Sequence, residues 1–143
     1  LTLAPNLVNV IPGEAVLTVD LRNTEEERLQ DAEHRLAAFL QSLARADGLE
    51  VSTRRLARFA PVTFAPEIVE IIVAAATRLG QPIQRMVSGA GQDAQMLARI
   101  CPAAMIFVPS IGGISHNPAE RTAPEHLEIG ANALLQSLLA LAA

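Results

Sequence analysis

The chain has 143 residues, of which half are apolar and 18% are charged, with a formal net charge of −4 and neither Trp nor Tyr. This length suits one compact domain or two small lobes, with an aliphatic core of Leu, Ile, Val and Ala. The small negative charge and the scattered arginines argue against a nucleic-acid partner, and no apolar stretch approaches the roughly 20 residues that cross a bilayer.

The first half of the chain predicts two strands, a helix and a further strand. Leu7 to Ile11 is apolar and β-branched, Ala15 to Leu21 alternates apolar with polar residues, and a Pro-Gly turn separates them. These two segments predict a β-hairpin. Apolar residues recur at helical spacing from about Thr24 to Ala46, where an Asp-Gly pair ends the helix. A mixed strand is predicted over Leu49 to Phe59.

Two prolines mark a joint in the middle of the chain. We place a domain boundary at Pro61 and Pro66, so that residues 1–60 and 61–143 form separate parts. Strands and helices alternate in the second part, which predicts an α/β arrangement. Its predicted elements are a helix over Glu67–Leu79, a strand over Gln81–Val87, a short helix over Ala94–Ile100, a buried strand over Ala104–Val108 and a final helix over Pro124–Leu141.

Cys101 is the only cysteine of the chain. One thiol excludes an internal disulfide and a four-cysteine zinc site. A chain without disulfides fits a reducing compartment, so we expect a cytoplasmic location. The sequence begins with Leu1, without methionine or a signal-peptide pattern, and we expect it to be part of a longer protein.

Two loops are the first candidates for a binding site. Ser88 to Asp93 and Pro109 to Glu120 each follow a predicted strand, and ligands of open α/β sheets bind beyond the carboxyl ends of strands. The glycines in these loops would let backbone approach a ligand closely. The alternative is that both loops are simply tight turns.

His116 is the most informative residue of the second loop. A neutral imidazole is the commonest side-chain ligand for zinc and related metals. The alternative is a solvated loop histidine, and Glu120 is then either a partner of a metal-bound histidine or a surface acid. His34 and His126 lie on predicted helices, and we expect them at the surface.

Asn9 and Arg22 face each other across the predicted hairpin. An amide and a guanidinium placed in this way could hold one ligand carboxylate, for which the arginine fork is suited. The alternative is an arginine at a strand end that pairs with Asp20 or with a neighbouring glutamate.

Four motifs follow one another along the chain. They are PNLVNVIPG at residues 5–13, VDLR at 19–22, SGAGQDA at 88–94 and GGISHNPAE at 112–120. Taken together and in this order, they resemble the N-carbamoyl-amino-acid hydrolase and allantoate amidohydrolase branch of the M20 peptidase superfamily. The resemblance covers essentially the whole chain, and it implies a fragment of a two-domain metallohydrolase. Residues 1–60 would be an α+β half of an inserted lid domain, and residues 61–143 the α/β last part of the catalytic domain.

The resemblance also implies a chemistry. Two divalent metal ions, zinc or manganese, would activate a water that attacks a ureido or amide carbon of a small substrate bearing a carboxylate. By position, His116 matches the last metal-binding histidine of the family, the one ligand that this chain supplies. Asn9 and Arg22 match lid residues that hold the substrate's carboxylate. The resemblance further implies a homodimer formed through the lid, and a chain that is inactive alone because the glutamate base and most ligands lie upstream in relatives.

The glycine-rich loop departs from the family at one position. The family motif is Gly-Ala-Gly-His-Asp, and its histidine contacts the substrate, whereas here Gly91 is followed by Gln92. Gly91 and Gln92 are therefore assigned to substrate binding, and Gln92 also to catalysis. Glutamine donates a hydrogen bond to an oxyanion but cannot carry positive charge. Gln92 is either engineered, a natural shift of specificity or the mark of a degenerate copy.

A second class of function stays open at this point. The same segments would also suit a non-catalytic binding or dimerisation module derived from that fold. In either case, we expect two half-domains to leave sheet edges and apolar faces uncovered, and to need self-association or a further segment.

Overall fold

The computed structural model describes all of residues 1–143, and its regular structure is mostly helical. The chain divides into two compact units, Leu1–Pro61 and Val62–Ala143. None of the helices combines the length and the apolar character that a membrane span requires. The elements in chain order are β1 (Thr2–Ala4), β2 (Glu14–Val16), α1 (Glu26–Asp47), α2 (Pro66–Arg78), α3 (Asp93–Leu97), a single 3₁₀ turn (Ile111–Gly113) and α4 (Pro124–Leu141).

The only sheet is a short antiparallel pair, in which Leu3 of β1 lies opposite Ala15 of β2. The predicted hairpin is therefore wrong in its first strand, because residues 7–11 lie in the connection between β1 and β2. Pro5 has no amide hydrogen to donate, so the ladder cannot continue past Ala4 in the usual way. The Gly13 amide instead closes the connection by donating to the Ala4 carbonyl oxygen over 2.9 Å.

Helix α1 confirms the helix predicted for the first half. Two glutamates occupy its first turn, where they favour the positive end of the helix dipole. Asn23 accepts a hydrogen bond from the Glu25 amide over 2.9 Å, just before the helix begins. The helix ends at Gly48, whose φ of 65° is the left-handed conformation that glycine adopts without strain.

Three predicted strands do not form. Residues 49–59, 81–87 and 104–108 have no regular secondary structure, so the α/β sheet predicted for the second half is absent from this chain. A strand exists only where a neighbouring strand completes its hydrogen-bond ladder. Residue preferences identify a segment that fits a sheet, but they cannot supply the neighbour.

The second unit is built on the packing of α2 against α4. Both helices begin with a proline at the first position, where the missing amide hydrogen has no helical partner to lose. Small residues lie at the buried positions, Ala75 and Ala76 on α2 and Ala133 and Ser137 on α4. The Ser137 hydroxyl donates to the Ala133 carbonyl oxygen over 2.7 Å, so its burial leaves no polar group unpaired.

The core of the chain is thin. Leu29 is the one large apolar side chain in the buried class, and no large side chain is fully buried. Leu134, Leu135, Leu138 and Leu139 of α4 are each about half exposed. Apolar side chains of α4 are therefore left uncovered, as predicted.

Candidate functional site

The loop that carries His116 is closed on itself by contacts between its two ends. The Ile111 amide donates to the Arg121 carbonyl oxygen over 2.7 Å. The Ser110 hydroxyl lies within hydrogen-bond distance of the carbonyl oxygens of Ile114 and Arg121. Two consecutive glycines turn the chain between these anchors, with φ values of 69° and 68°. The loop is therefore a defined structure that leads directly into α4.

His116 has the one positive φ among the non-glycine residues, at 55°. A left-handed backbone costs a residue with a Cβ roughly 1–2 kcal/mol, and such outliers persist only where surrounding contacts impose them. The contact here is Glu120, whose Oε2 atom accepts a hydrogen bond from the His116 amide over 2.8 Å. The imidazole is on an exposed residue, so it is accessible to a ligand.

A metal ion at this loop would find one protein ligand. The chain contains no group of three or more His, Cys, Asp or Glu residues placed to hold a metal, whereas zinc sites use three or four protein ligands. The exposed imidazole of His116 fits one coordination position. The residues present therefore do not fit a complete two-metal centre.

Gln92 forms the N-cap of α3. Its Oε1 atom accepts a hydrogen bond from the Ala94 amide over 3.3 Å, which leaves the two N–H donors of the side-chain amide for other partners. Just before it, the Ser88 hydroxyl accepts from the Ala90 amide over 3.1 Å. Gly91 has open space where a Cβ would stand, so the backbone at this position is accessible.

Gln92 also lines an open groove of about 580 Å³ in the second unit. The other walls come from α2, α3, α4 and the segment 102–108, and nearly all of their residues are apolar. The groove is thus an apolar surface with the Gln92 side chain as one of its few polar groups. His116 is not among its lining residues, so the structure gives these two candidates separate settings.

Arg22 forms a two-pronged ion pair with Asp20. Its Nε atom donates to Asp20 Oδ1 over 3.0 Å, and its Nη2 atom donates to Asp20 Oδ2 over 2.7 Å. This hydrogen bonding holds the pKa of the Asp20 carboxyl below its usual value and raises the pKa of Arg22. Asn9 lies in the connection between β1 and β2. The placement of Asn9 and Arg22 on two facing strands was therefore wrong, and pairing with Asp20 is the alternative that the structure contains.

Sequence reasoning missed a charged cluster in the first unit. Arg58 donates from Nη2 to Glu26 Oε1 over 2.6 Å and from Nε to Glu33 Oε1 over 3.1 Å. Hydrogen bonding to Arg58 lowers the pKa of Glu26. The seven-residue spacing of Glu26 and Glu33 puts both on one face of α1. From the sequence, this spacing could have predicted a shared acidic face on the helix. The cluster fastens the end of the segment 49–59 back onto α1.

Comparison with known proteins defines the class. Residues 3–140 match the family model described as Peptidase family M20/M25/M40, and the chain belongs to this family. It is 38% identical over 136 residues to an N-carbamoyl-L-amino-acid amidohydrolase of Rhizobium meliloti, covering 95% of this chain and 33% of that protein. It is 37% identical over 142 residues to an allantoate amidohydrolase of Bacillus subtilis, covering 99% of this chain and 34% of that protein.

A solved structure gives the same result. An amidase of the hydantoinase/carbamoylase family from Burkholderia vietnamiensis matches with a TM-score of 0.82 at 35% identity, over 97% of this chain and 34% of that one. Within the family, the chain therefore lies in the branch of N-carbamoyl-L-amino-acid hydrolases and allantoate amidohydrolases. It spans about a third of the length of the relatives it matches.

Proposed function

We propose that this chain supplies one metal ligand and part of the substrate-binding surface of a hydrolase that cleaves linear amide or ureido C–N bonds. N-carbamoyl amino acids, allantoate or similar compounds would be its substrates. The observation that supports this most directly is His116, whose imidazole is exposed on a closed loop with a constrained backbone. Because the chain belongs to a hydrolase family, we interpret this exposed imidazole as a metal ligand.

In this proposal, His116 binds one of two divalent ions, zinc or manganese. When bound in the complete enzyme, such a pair would supply the chemistry of water activation, and His116 would hold one of the two ions. The remaining ligands and the glutamate base come from parts of the enzyme that correspond to the other two thirds of the relatives. The chain alone is accordingly inactive, because one imidazole cannot hold a metal pair.

Asn9 and Arg22 hold the carboxylate of the substrate in the same proposal. The guanidinium now donates to both carboxylate oxygens of Asp20, and a substrate carboxylate would displace Asp20 from it. Both Arg22 and Asp20 are more than half exposed, so the exchange costs little desolvation. Gly91 and Gln92 contact the substrate, and the side-chain N–H groups of Gln92 donate to the oxygen on which negative charge develops.

The division after Pro61 supports a further part of the proposal. The first unit would be the second half of a lid domain, through which the complete protein forms a homodimer. The second unit would be the last part of the catalytic domain. The uncovered leucines of α4 then belong to a surface that the rest of the catalytic domain covers.

A non-catalytic binding or dimerisation module is the second candidate. The exposed apolar faces favour it, since they agree with a role in association alone. The two candidates differ in one property. The hydrolase needs the His116 imidazole, whereas the module does not.

A chimera tests the difference. The matching third of the Bacillus subtilis allantoate amidohydrolase is replaced by this chain, and metal content and allantoate hydrolysis are measured. In the chimera, we expect the two bound metals of a complete centre and measurable hydrolysis. In His116→Ala, we expect loss of the metal that His116 binds and loss of hydrolysis. The matched control is His34→Ala, a helix histidine in the other unit. A chimera that keeps full metal content after His116→Ala would overturn the proposal.

The isolated chain provides the complementary measurement. Elemental analysis follows incubation with zinc or manganese and removal of the excess. We expect essentially no retained metal, because a single imidazole binds too weakly to survive the removal step. Two metals retained per chain would contradict the one-ligand assignment and make the chain an enzyme in its own right.

A further inference from the structure

The backbone of His116 requires a restraint. Its φ of 55° lies in a region that residues with a Cβ rarely adopt, and this conformation sets the direction of the Cα–Cβ bond from which the imidazole extends. In a flexible loop the residue would relax to negative φ and turn its side chain elsewhere. A contact to His116 itself must therefore oppose that relaxation.

Glu120 is placed to do so. Its Oε2 atom accepts from the His116 amide over 2.8 Å. Asn117 brings the acid back to this position, because its side-chain oxygen accepts from the Ala119 amide and its carbonyl oxygen accepts from the Glu120 amide, each over 2.9 Å. This turn directs the Glu120 carboxylate at the backbone of His116.

We propose that Glu120 is a positioning residue for His116: its carboxylate holds the His116 amide and thereby fixes the backbone conformation from which the imidazole extends. The inference rests on the proposed function in one respect only, namely that the positioned imidazole is presented to a metal. The restraint itself is a property of this chain. Glu120 acts through the backbone, because its carboxylate contacts the His116 amide.

Nuclear magnetic resonance of the ¹⁵N-labelled 143-residue chain tests the restraint. In Glu120→Ala, we expect the His116 amide to exchange with solvent about tenfold faster, as for the loss of one hydrogen bond to a charged acceptor. Its amide shift and its three-bond HN–Hα coupling should also change. Glu120→Gln should restore most of the wild-type signature, because the side-chain amide oxygen still accepts.

Glu125→Ala is the matched control. Glu125 is an exposed acid in the first turn of α4, so this variant removes the same charge without touching the loop, and the His116 signals should stay as in the wild type. Changes confined to residues 110–121 in Glu120→Ala support positioning. An unchanged His116 amide in that variant, or a Gln variant as altered as the Ala variant, would overturn it.

A second pair of variants covers the case in which Glu120→Ala does not fold. Glycine adopts positive φ without a restraint, so His116→Gly removes the need for the carboxylate. We expect the Glu120→Ala, His116→Gly double variant to keep the loop conformation, with slow amide exchange across residues 110–121, where Glu120→Ala alone exchanges faster or does not fold. Loop exchange as fast in the double variant as in the single variant, or a double variant that fails to fold like the single one, would contradict the proposal.

The chimera distinguishes a failure of the proposed function from a failure of the positioning role of Glu120. If His116 is a metal ligand, Glu120→Ala should weaken metal retention and Glu120→Gln should recover it. If His116→Ala leaves metal retention unchanged, the proposed function fails while the magnetic-resonance result for the restraint still stands. If the His116 amide signals are unchanged in Glu120→Ala, the positioning role fails whatever the metal content of the chimera.

Discussion

Gly130 of α4 and Val108 approach each other so closely that a Cβ on the glycine would stand 2.5 Å from the Val108 Cγ1 atom. Real Cβ atoms do not make contacts this short. The segment that ends at Val108 therefore packs directly on α4, even though it forms no strand. Glycine in mid-helix is unfavourable by about 1 kcal/mol relative to alanine, so its presence here reflects the need for a close approach.

Gly130→Ala should destabilise the second unit. Overpacking typically costs about 1–3 kcal/mol, and the better helix propensity of alanine offsets about 1 kcal/mol of this. The net loss, about 1 kcal/mol, is measured by urea unfolding. The Val108→Ala background provides the control, since it removes the opposing methyl groups, and there Gly130→Ala should be neutral or stabilising. A rise in stability in the wild-type background would contradict the close packing.

Ser110→Ala should loosen the His116 loop. The variant loses the hydroxyl that contacts the carbonyl oxygens of Ile114 and Arg121, and an intramolecular hydrogen bond contributes about 1 kcal/mol. Hydrogen exchange should accelerate across residues 110–121. Ser115→Ala, an exposed serine of the same loop, serves as the control. Equal exchange rates in the two variants would show that Ser110 does not close the loop.

The Arg58 cluster predicts a pH dependence. Hydrogen bonds from Arg58 and then from Gln30 lower the pKa of Glu26, so the folded pKa lies below the unfolded value of about 4.3. The stabilisation is present above the unfolded pKa and is lost as the pH falls through the folded pKa. Arg58→Met should therefore reduce the melting temperature near neutral pH. The difference between the melting temperatures at about pH 6 and about pH 3 should be smaller in this variant than in the wild type.

Arg35→Met is the control for that measurement. Arg35 pairs with Asp31 over 3.7 Å, and the two side chains are 81% and 66% exposed. Exposed pairs of this kind contribute little, so the melting temperature of this variant should follow the wild type at every pH. The same pH profile for wild type and Arg58→Met would contradict a stabilising role for the cluster.

Gln92→His should raise the activity of the chimera if the proposed function is correct. A histidine can carry the positive charge that glutamine lacks, and a charged donor stabilises a developing oxyanion more strongly. We expect a rise of about tenfold in kcat, and a fall in Gln92→Ala. Gln84→His, at an exposed position outside the groove, controls for an added histidine. An unchanged kcat in both Gln92 variants would remove the residue from the catalytic groups.

The sequence by itself determined the helices. Proline at the start of α2 and α4 and the left-handed glycine after α1 are signals carried by neighbouring residues. The predicted range for α4 matches the observed one, and those for α1 and α2 differ by one or two residues at each end. Helical hydrogen bonds join residues four apart, so local sequence contains both partners. The four motifs likewise identified the family, because they depend on residue identity and order alone.

Only the tertiary structure decided the strands and the settings of the site residues. β1 pairs with β2 across the intervening connection, and three strand-like segments find no partner in this chain. The contact of Arg58 with Glu26 joins residues that are 32 positions apart in the sequence. Sequence patterns do not specify which residues meet across such a separation. For His116, the motif named the residue, but the positive φ and the Glu120 contact emerged only from the folded loop. Partners distant in the sequence are chosen by the packing of the whole chain, and local preference cannot specify them.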